Sequence, residues 1–399
     1  MKPAWAVLLA ALLGVAGPAS AQSHGGAPPP ALQDAIASYR TGDLATAEAA
    51  LRRLAPANAD AEAWLGAVLV ARGMAREGLQ ALRHALAAGS PEAAHQLGLV
   101  FAQGLAGVQR DDAQAVQLFE KAAAAGHYRA ELNLGVLYFR GQGVPRNLVQ
   151  ARSWLEKAAL SDDPYALYAL GRALEEGDGE AGADPTRAAA LYRRAAEKGH
   201  PLAALRYGLA LADGVGVKAD AAGAQRWLLA AQKDGVPEAA LALGDMTARM
   251  LSPRDKDANR KILETAAAWY RRAADAGVAS AQFKLANAYA AGSGVGRDLA
   301  QAMTWYGRAA HQGLPEAQLA LGLLLLGGAA GTADPAEGYK WLLLAERGGR
   351  TESRMVQEKV SGQISAADRA RGEALAAGFI PKPERPTDDA PPRLVRPAP

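Results

Sequence analysis

The sequence predicts an all-α protein built as a solenoid of antiparallel helix pairs. Three observations carry this. A large residue recurs at Leu118, Trp154, Leu191, Trp227, Trp269, Trp305 and Trp341, in steps of 36, 37, 36, 42, 36 and 36. Alanine stands four residues after each of these anchors (Ala122, Ala158, Ala195, Ala231, Ala273, Ala309, Ala345). A small residue stands three before (Ala115, Ala151, Ala188, Ala224, Ala266, Ala302, Gly338). Offsets of −3, 0 and +4 share one face of an α-helix, and a small–large–small stripe lets neighbouring helices approach closely. Units that repeat at this period stack in a row, each contacting mainly the next.

The ends of this helix, called B, are also written in the repeat. Seven residues before the anchor stands an N-cap candidate: Asp111, Asn147, Asp184, Asp220, Asp298 or Asp334, with Ile262 as the exception. Their side-chain oxygens can accept from first-turn N–H groups that have no helical partner. Eight residues after the anchor comes Gly126, Gly199, Gly235, Gly277, Gly313 or Gly349, with Asp162 as the exception. Glycine there suits the left-handed conformation that closes a helix.

A second helix, A, precedes each B and carries Gly98, Gly135, Gly171, Gly208, Gly244 or Gly322, with Ala286 in the same register. Glycine inside a helix costs roughly 0.5–1 kcal/mol relative to alanine, so its recurrence calls for close helix contact. Pro91, Pro164, Pro201, Pro237 and Pro315 mark the starts of A helices, where the missing N–H is tolerated. Between A and B lie the turns Gly141-Gln142-Gly143-Val144, Gly214-Val215-Gly216-Val217 and Gly292-Ser293-Gly294-Val295. The unit around Met246–Trp269 is about six residues longer and lacks this turn; its A–B loop is expected to bulge.

At the N-terminus, Lys2, an apolar run over residues 4–16 and Ala19-Ser20-Ala21 read as a secretory signal peptide over residues 1–21, cleaved after Ala21. The run is shorter than the ~20 residues needed to span a bilayer, so the mature protein is expected to be soluble and periplasmic or secreted. Residues 22–30 read as a flexible leader, and residues 381–399, rich in proline, as a disordered tail. The 399 residues contain no Cys, which excludes disulfides, thiolate metal sites and a thiol nucleophile. With 44 basic against 41 acidic residues and no basic block, a nucleic-acid surface is not indicated.

The stretch from Ala130-Glu131-Leu132-Asn133-Leu134-Gly135 through Gly141-Gln142-Gly143-Val144 to Trp154-Leu155-Glu156-Lys157-Ala158 resembles the Sel1-like repeat, a relative of the tetratricopeptide repeat. The resemblance covers seven units over residues 90–349, preceded by looser tetratricopeptide-like helices over 31–89 and followed by capping helices over 350–380. It implies a right-handed superhelix and a non-catalytic scaffold or adaptor role in the bacterial cell envelope. Service in envelope polysaccharide synthesis or export is the alternative. A β-lactamase-like hydrolase, known among Cys-rich Sel1 proteins, finds no support without Cys or a Ser-x-x-Lys in a helical pocket.

The residues themselves offer little chemistry. His127 and His200 both follow a closing glycine, which points to capping or packing rather than metal ligation. His84 and His95 lie on different helices without a completing acidic pattern, so no metal or cofactor is expected. The G-x-G turns follow helices rather than strands and do not make a nucleotide fingerprint. Paired acids such as Asp111-Asp112, Asp162-Asp163 and Glu175-Glu176 read as solvated charge, and the Trp series as packing. If A helices line the concave face, as the resemblance implies, the partner-binding candidates are Asn133, Arg140, Arg172, Glu176, Asp213, Asp245, Arg249, Lys284 and Asn287. Their mixed signs suit a polar protein partner, bound by a monomer.

Overall fold

The computed structural model describes residues 29–177, 182–252, 255–328, 331, 333–360 and 362–385. The expected signal peptide lies outside them. Among the described residues the regular structure is helical throughout and no helix is long and apolar enough to cross a membrane. The chain divides into two compact units at the Ala219–Asp220 boundary.

The first unit holds α1 (Pro30–Arg40), α2 (Leu44–Leu54), α3 (Ala59–Ala71), α4 (Ala75–Ala87), α5 (Pro91–Gln103), α6 (Asp112–Ala124), α7 (Tyr128–Arg140), α8 (Leu148–Ala159), α9 (Pro164–Glu176), α10 (Pro185–Glu197) and α11 (Pro201–Asp213). The second holds α12 (Ala221–Lys233), α13 (Pro237–Ala248), α14 (Lys256–Asp275), α15 (Ala279–Ala291), α16 (Leu299–His311), α17 (Pro315–Leu326), α18 (Pro335–Arg347), α19 (Glu352–Val360) and α20 (Ala366–Ala377). In each unit successive helices pack as pairs and each pair stacks on the next.

The helix ends form as their residues dictate. Asp111, Asn147, Asp184, Asp220, Asp298 and Asp334 each accept a bond from the backbone N–H three residues on. The closing glycines sit at positive φ, and Asp162, which replaces one, does so too at 57°. In the A–B turns the second glycine is demanded by contact. A Cβ on Gly143 would strike the Asp112 carbonyl, and one on Gly294 the Leu263 carbonyl, so this turn lies against the first turns of the preceding B helix.

Two expectations change. The long unit does not bulge its A–B loop; its extra residues lengthen the B helix. Asp255, not Ile262, is the N-cap, accepting from Ala258 N–H at 2.8 Å, and α14 runs 20 residues. The first five residues of the expected disordered tail are instead bonded to helices. Phe379 packs edge-to-face with Trp341, and residues 381–385 lie on the second unit, with Lys382 N–H donating to the His311 carbonyl at 2.9 Å. The rest of the tail lies outside the described residues.

The stripe is packed, but its anchor is not the deepest residue. The alanines at +4 are wholly buried in all seven units. The residue filling the A-helix glycine notch is the one after the anchor. A Cβ on Gly98 would sit 2.5 Å from Phe119, on Gly135 2.5 Å from Leu155, on Gly171 2.5 Å from Tyr192, and on Gly244 2.6 Å from Tyr270. Trp305 and Trp341 are buried, whereas Trp154, Trp227 and Trp269 are only half-buried. A cation one turn on covers several of the rings: Lys157 over Trp154 at 4.1 Å and Arg308 over Trp305 at 4.6 Å.

Candidate interaction surface

The nine nominated residues fall at three places around the A-helix notch. Glu176, Asp213, Arg249 and Asn287 are exposed, and Arg140, Arg172, Asp245 and Lys284 are half-buried. Asn133 is not a surface residue: it is fully buried, with its amide 3.2 Å from the His95 ring. The reading of Asn133 as a binding residue is therefore withdrawn; its polar side chain is spent on an internal partner. Glu176 is ion-paired with Arg146.

The notch-filling tyrosines organise the rest. Each ring packs edge-on against its A helix, and the hydroxyl reaches a carboxylate on that helix. In the first unit Tyr192 donates to Glu175 at 2.8 Å, and Arg172 and Arg206 stand 3.6 and 3.7 Å from the same carboxylate. Arg206, Tyr192 and Glu175 line a cleft of about 140 Å³ together with Asp213 and Val215. In the second unit Tyr270 donates to Asp245 at 2.9 Å, Lys284 of the next A helix bridges to Asp245 at 2.8 Å, and Tyr306 bonds Asn287. Burial, then the neighbouring carboxylate, pushes the Tyr192 and Tyr270 hydroxyls well up, so both remain donors. The result in each unit is a ladder of hydroxyl, carboxylate and cation on the A-helix face. Glu175, Tyr192 and Arg206 were not nominated from the sequence. The available signal was the tyrosine directly after the anchor, whose OH needs a partner once the ring is buried.

A second cluster lies at the start of α5. Glu92, His95 and His127 offer donor atoms within 4.8 Å of one another, a set the sequence reading did not assemble because His127 comes from the next repeat. The donors do not fit an ion as placed. The two imidazoles stack at 4.6 Å with 29° between planes, so their lone pairs lie in two layered planes rather than in one shared plane. His127 Nδ1 accepts from Ala130 N–H at 3.3 Å, which leaves its Nε2 to donate to Glu92 at 3.2 Å. Burial above all, with His127 alongside, pulls the His95 imidazole down to about 4. Burial would raise Glu92, but the bond from His127 and the nearby His95 imidazole outweigh it and hold its carboxyl well below the usual range. His200 repeats the capping role, accepting from Ala203 N–H at 3.2 Å.

Seven consecutive segments, residues 91–127, 129–163, 164–200, 201–235, 237–278, 279–314 and 315–349, match the Sel1 repeat. A Sel1 repeat protein from Oxalobacter formigenes superposes with a TM-score of 0.59 at 28% identity, covering 88% of this chain and 99% of that one. A protective antigen of uropathogenic Escherichia coli with an SLR fold superposes at 0.50 and 25% identity, covering 89% and 84%. Among characterised relatives, the ERAD-associated E3 ubiquitin-protein ligase component HRD3B of Arabidopsis thaliana is 38% identical over 27% of this chain and 17% of its own length. Chitin synthase regulatory factor 3 of Schizosaccharomyces pombe is 36% identical over 28% of this chain and 12% of its own. The chain thus spans less than a fifth of either relative. With the repeat register, the helix pairs and these matches in agreement, the chain belongs to the Sel1 repeat family.

Proposed function

We propose that the chain is a non-catalytic scaffold that holds other proteins along its A-helix faces, and that it works outside the cytoplasm in the cell envelope. The observation that carries the reading is the recurring set of tyrosine hydroxyl, carboxylate and cation, seen at Glu175, Tyr192 and Arg206 and again at Asp245, Tyr270 and Lys284. Charges of both signs held in place favour correct over incorrect partners more than they add raw affinity. A solenoid offers a long surface on which to present them. The location is supported by Lys2, the apolar run over residues 4–16 and Ala19-Ser20-Ala21.

A second reading, regulation of a polysaccharide synthase in the envelope, draws on the similarity to chitin synthase regulatory factor 3. One experiment separates the two and tests the surface. Glu176 and Asp213 are both exposed, so Glu176→Lys with Asp213→Lys is expected to shift stability by under about 0.5 kcal/mol. The double variant and wild type are crosslinked in cells, and the captured proteins are identified. Loss of a captured protein supports the A-helix face, and a synthase among the lost proteins supports the second reading. Full recovery by this variant, with loss on the B-helix variant Glu120→Lys with Gln225→Lys, refutes the assignment.

A further inference from the structure

Residues 381–384 are exposed, yet the segment 381–385 is held on the second unit by a set of directional bonds. The segment is Pro-Lys-Pro-Glu-Arg, with backbone N–H groups at Lys382, Glu384 and Arg385, the first two of which are bonded to α16 and the turn after it. Lys382 N–H donates to the His311 carbonyl at 2.9 Å and Glu384 N–H to Gln312 Oε1 at 3.1 Å. The prolines have no N–H to satisfy and hold the backbone extended, which lowers the cost of ordering it. The Glu384 carboxylate is gripped at both oxygens by Arg308, at 2.9 and 2.6 Å, and accepts from Gln282 Nε2 at 3.0 Å. Gln282 is fully buried, and Gln312 ties to it at 2.8 Å. Arg385 ends the contact on Glu238 at 2.6 Å.

The same place in the first unit is solved differently. Three residues after the anchor stands Arg194 there and Arg308 here; eight after the preceding anchor stands Asp162 there and Gly277 here. Asp162 accepts from Arg194 at 2.9 Å and from Lys198 at 2.6 Å. At Gly277 an added Cβ would lie 3.0 Å from the Glu384 Cβ. The carboxylate of Glu384 therefore stands where the repeat's own aspartate would put one. In one unit the charge that answers the arginine is fixed in the repeat; in the other it comes from the C-terminal segment of the chain.

We propose that Arg308, Gln282, Gln312 and Gly277 form a recognition site for an extended, proline-flanked acidic segment of a partner protein, which the chain's own Glu384 fills until such a segment displaces it. This rests on the reading of the chain as a protein-binding scaffold and names the chemistry of one partner segment. The probe is a fluorescent synthetic peptide of residues 380–386, Ile-Pro-Lys-Pro-Glu-Arg-Pro, titrated by polarisation against the full chain. Glu384→Ala with Arg385→Ala vacates the site while keeping every receptor residue. This variant is expected to bind the peptide at least about tenfold more tightly than wild type. Adding Arg308→Ala, or changing the peptide's Glu to Gln, is expected to remove that gain. Equal binding by wild type and the vacated variant, or none by the latter, overturns the proposal.

A second measurement does not depend on the peptide. Gly277→Asp places an aspartate at the position equivalent to Asp162, which sits at φ 57° against 89° at Gly277; aspartate visits the left-handed region more readily than most residues. Hydrogen exchange at the Lys382 and Glu384 amides is expected to rise to the free-chain rate in this variant. Protection equal to wild type, with the fold intact by circular dichroism, refutes the equivalence. If the vacated variant ignores the peptide yet still crosslinks partners through the A-helix face, this proposal falls and the scaffold reading stands.

Discussion

Glycine inside a helix has opposite consequences at two places in the second unit, and the difference can be worked out from contacts. At Gly244, an alanine Cβ would lie 2.6 Å from Tyr270 Cε1 and 2.7 Å from Cδ1, far inside van der Waals distance. The ring cannot swing away cheaply, because its hydroxyl is bonded to Asp245 at 2.9 Å. Gly244→Ala therefore gains the ~0.5–1 kcal/mol of helix propensity and incurs an overpacking cost of ~1–3 kcal/mol, a net loss on the order of 1 kcal/mol. At Gly307, also within a helix, nothing lies within 4 Å of the added Cβ. Gly307→Ala is expected to stabilise by roughly 0.5–1 kcal/mol. Urea unfolding of both variants, followed by far-ultraviolet circular dichroism and by Trp fluorescence, gives the two shifts against the same wild-type curve. If Gly244→Ala stabilises as much as Gly307→Ala, close approach is not why the repeat keeps glycine, and the packing argument fails.

Further outcomes follow from the same contacts. Burial pulls the His200 imidazole from 6.5 to about 4. The unfolded chain then binds more protons between those values, so stability present above pH 6.5 is lost as pH falls toward 4, on the order of 3 kcal/mol. His200→Asn keeps a capping acceptor and should flatten that slope in thermal melts; an unchanged slope would exclude His200 as its source. Asp255→Ala removes the true cap of α14 and should cost about 1 kcal/mol, whereas Ile262→Ser, at the position the repeat register suggests, should not start the helix there. N-terminal sequencing of the exported protein should begin at Gln22; recovery of Met1 in the membrane pellet would contradict processing.

Much of the fold was legible because the repeat writes each structural need several times. Six N-caps and the closing glycines were readable from position alone, since capping chemistry is local. The misreadings came where a non-local contact decided the matter. Ile262 hid the cap at Asp255 because two added turns of helix keep the same face inward. Asn133 has the look of a surface residue, and only the position of His95 one repeat earlier shows that it is buried. The tail's composition is that of disorder, yet Arg308 and Gln282, far away in sequence, hold Glu384 in place. The tyrosine ladder was missed for a related reason: the anchor stands out by size, while the residue beside it fills the notch and carries the polar group.

The central claim is that the A-helix faces hold protein partners. A photocrosslinking amino acid placed singly at Asp213 and Asn287 on A helices, and at Glu120 and Gln225 on B helices, tests it directly, since all four positions are exposed. Irradiation of cells expressing each variant, followed by mass identification, is predicted to yield the same crosslinked polypeptide from Asp213 and Asn287 and none from Glu120 or Gln225. Crosslinks confined to Glu120 and Gln225 would contradict the account.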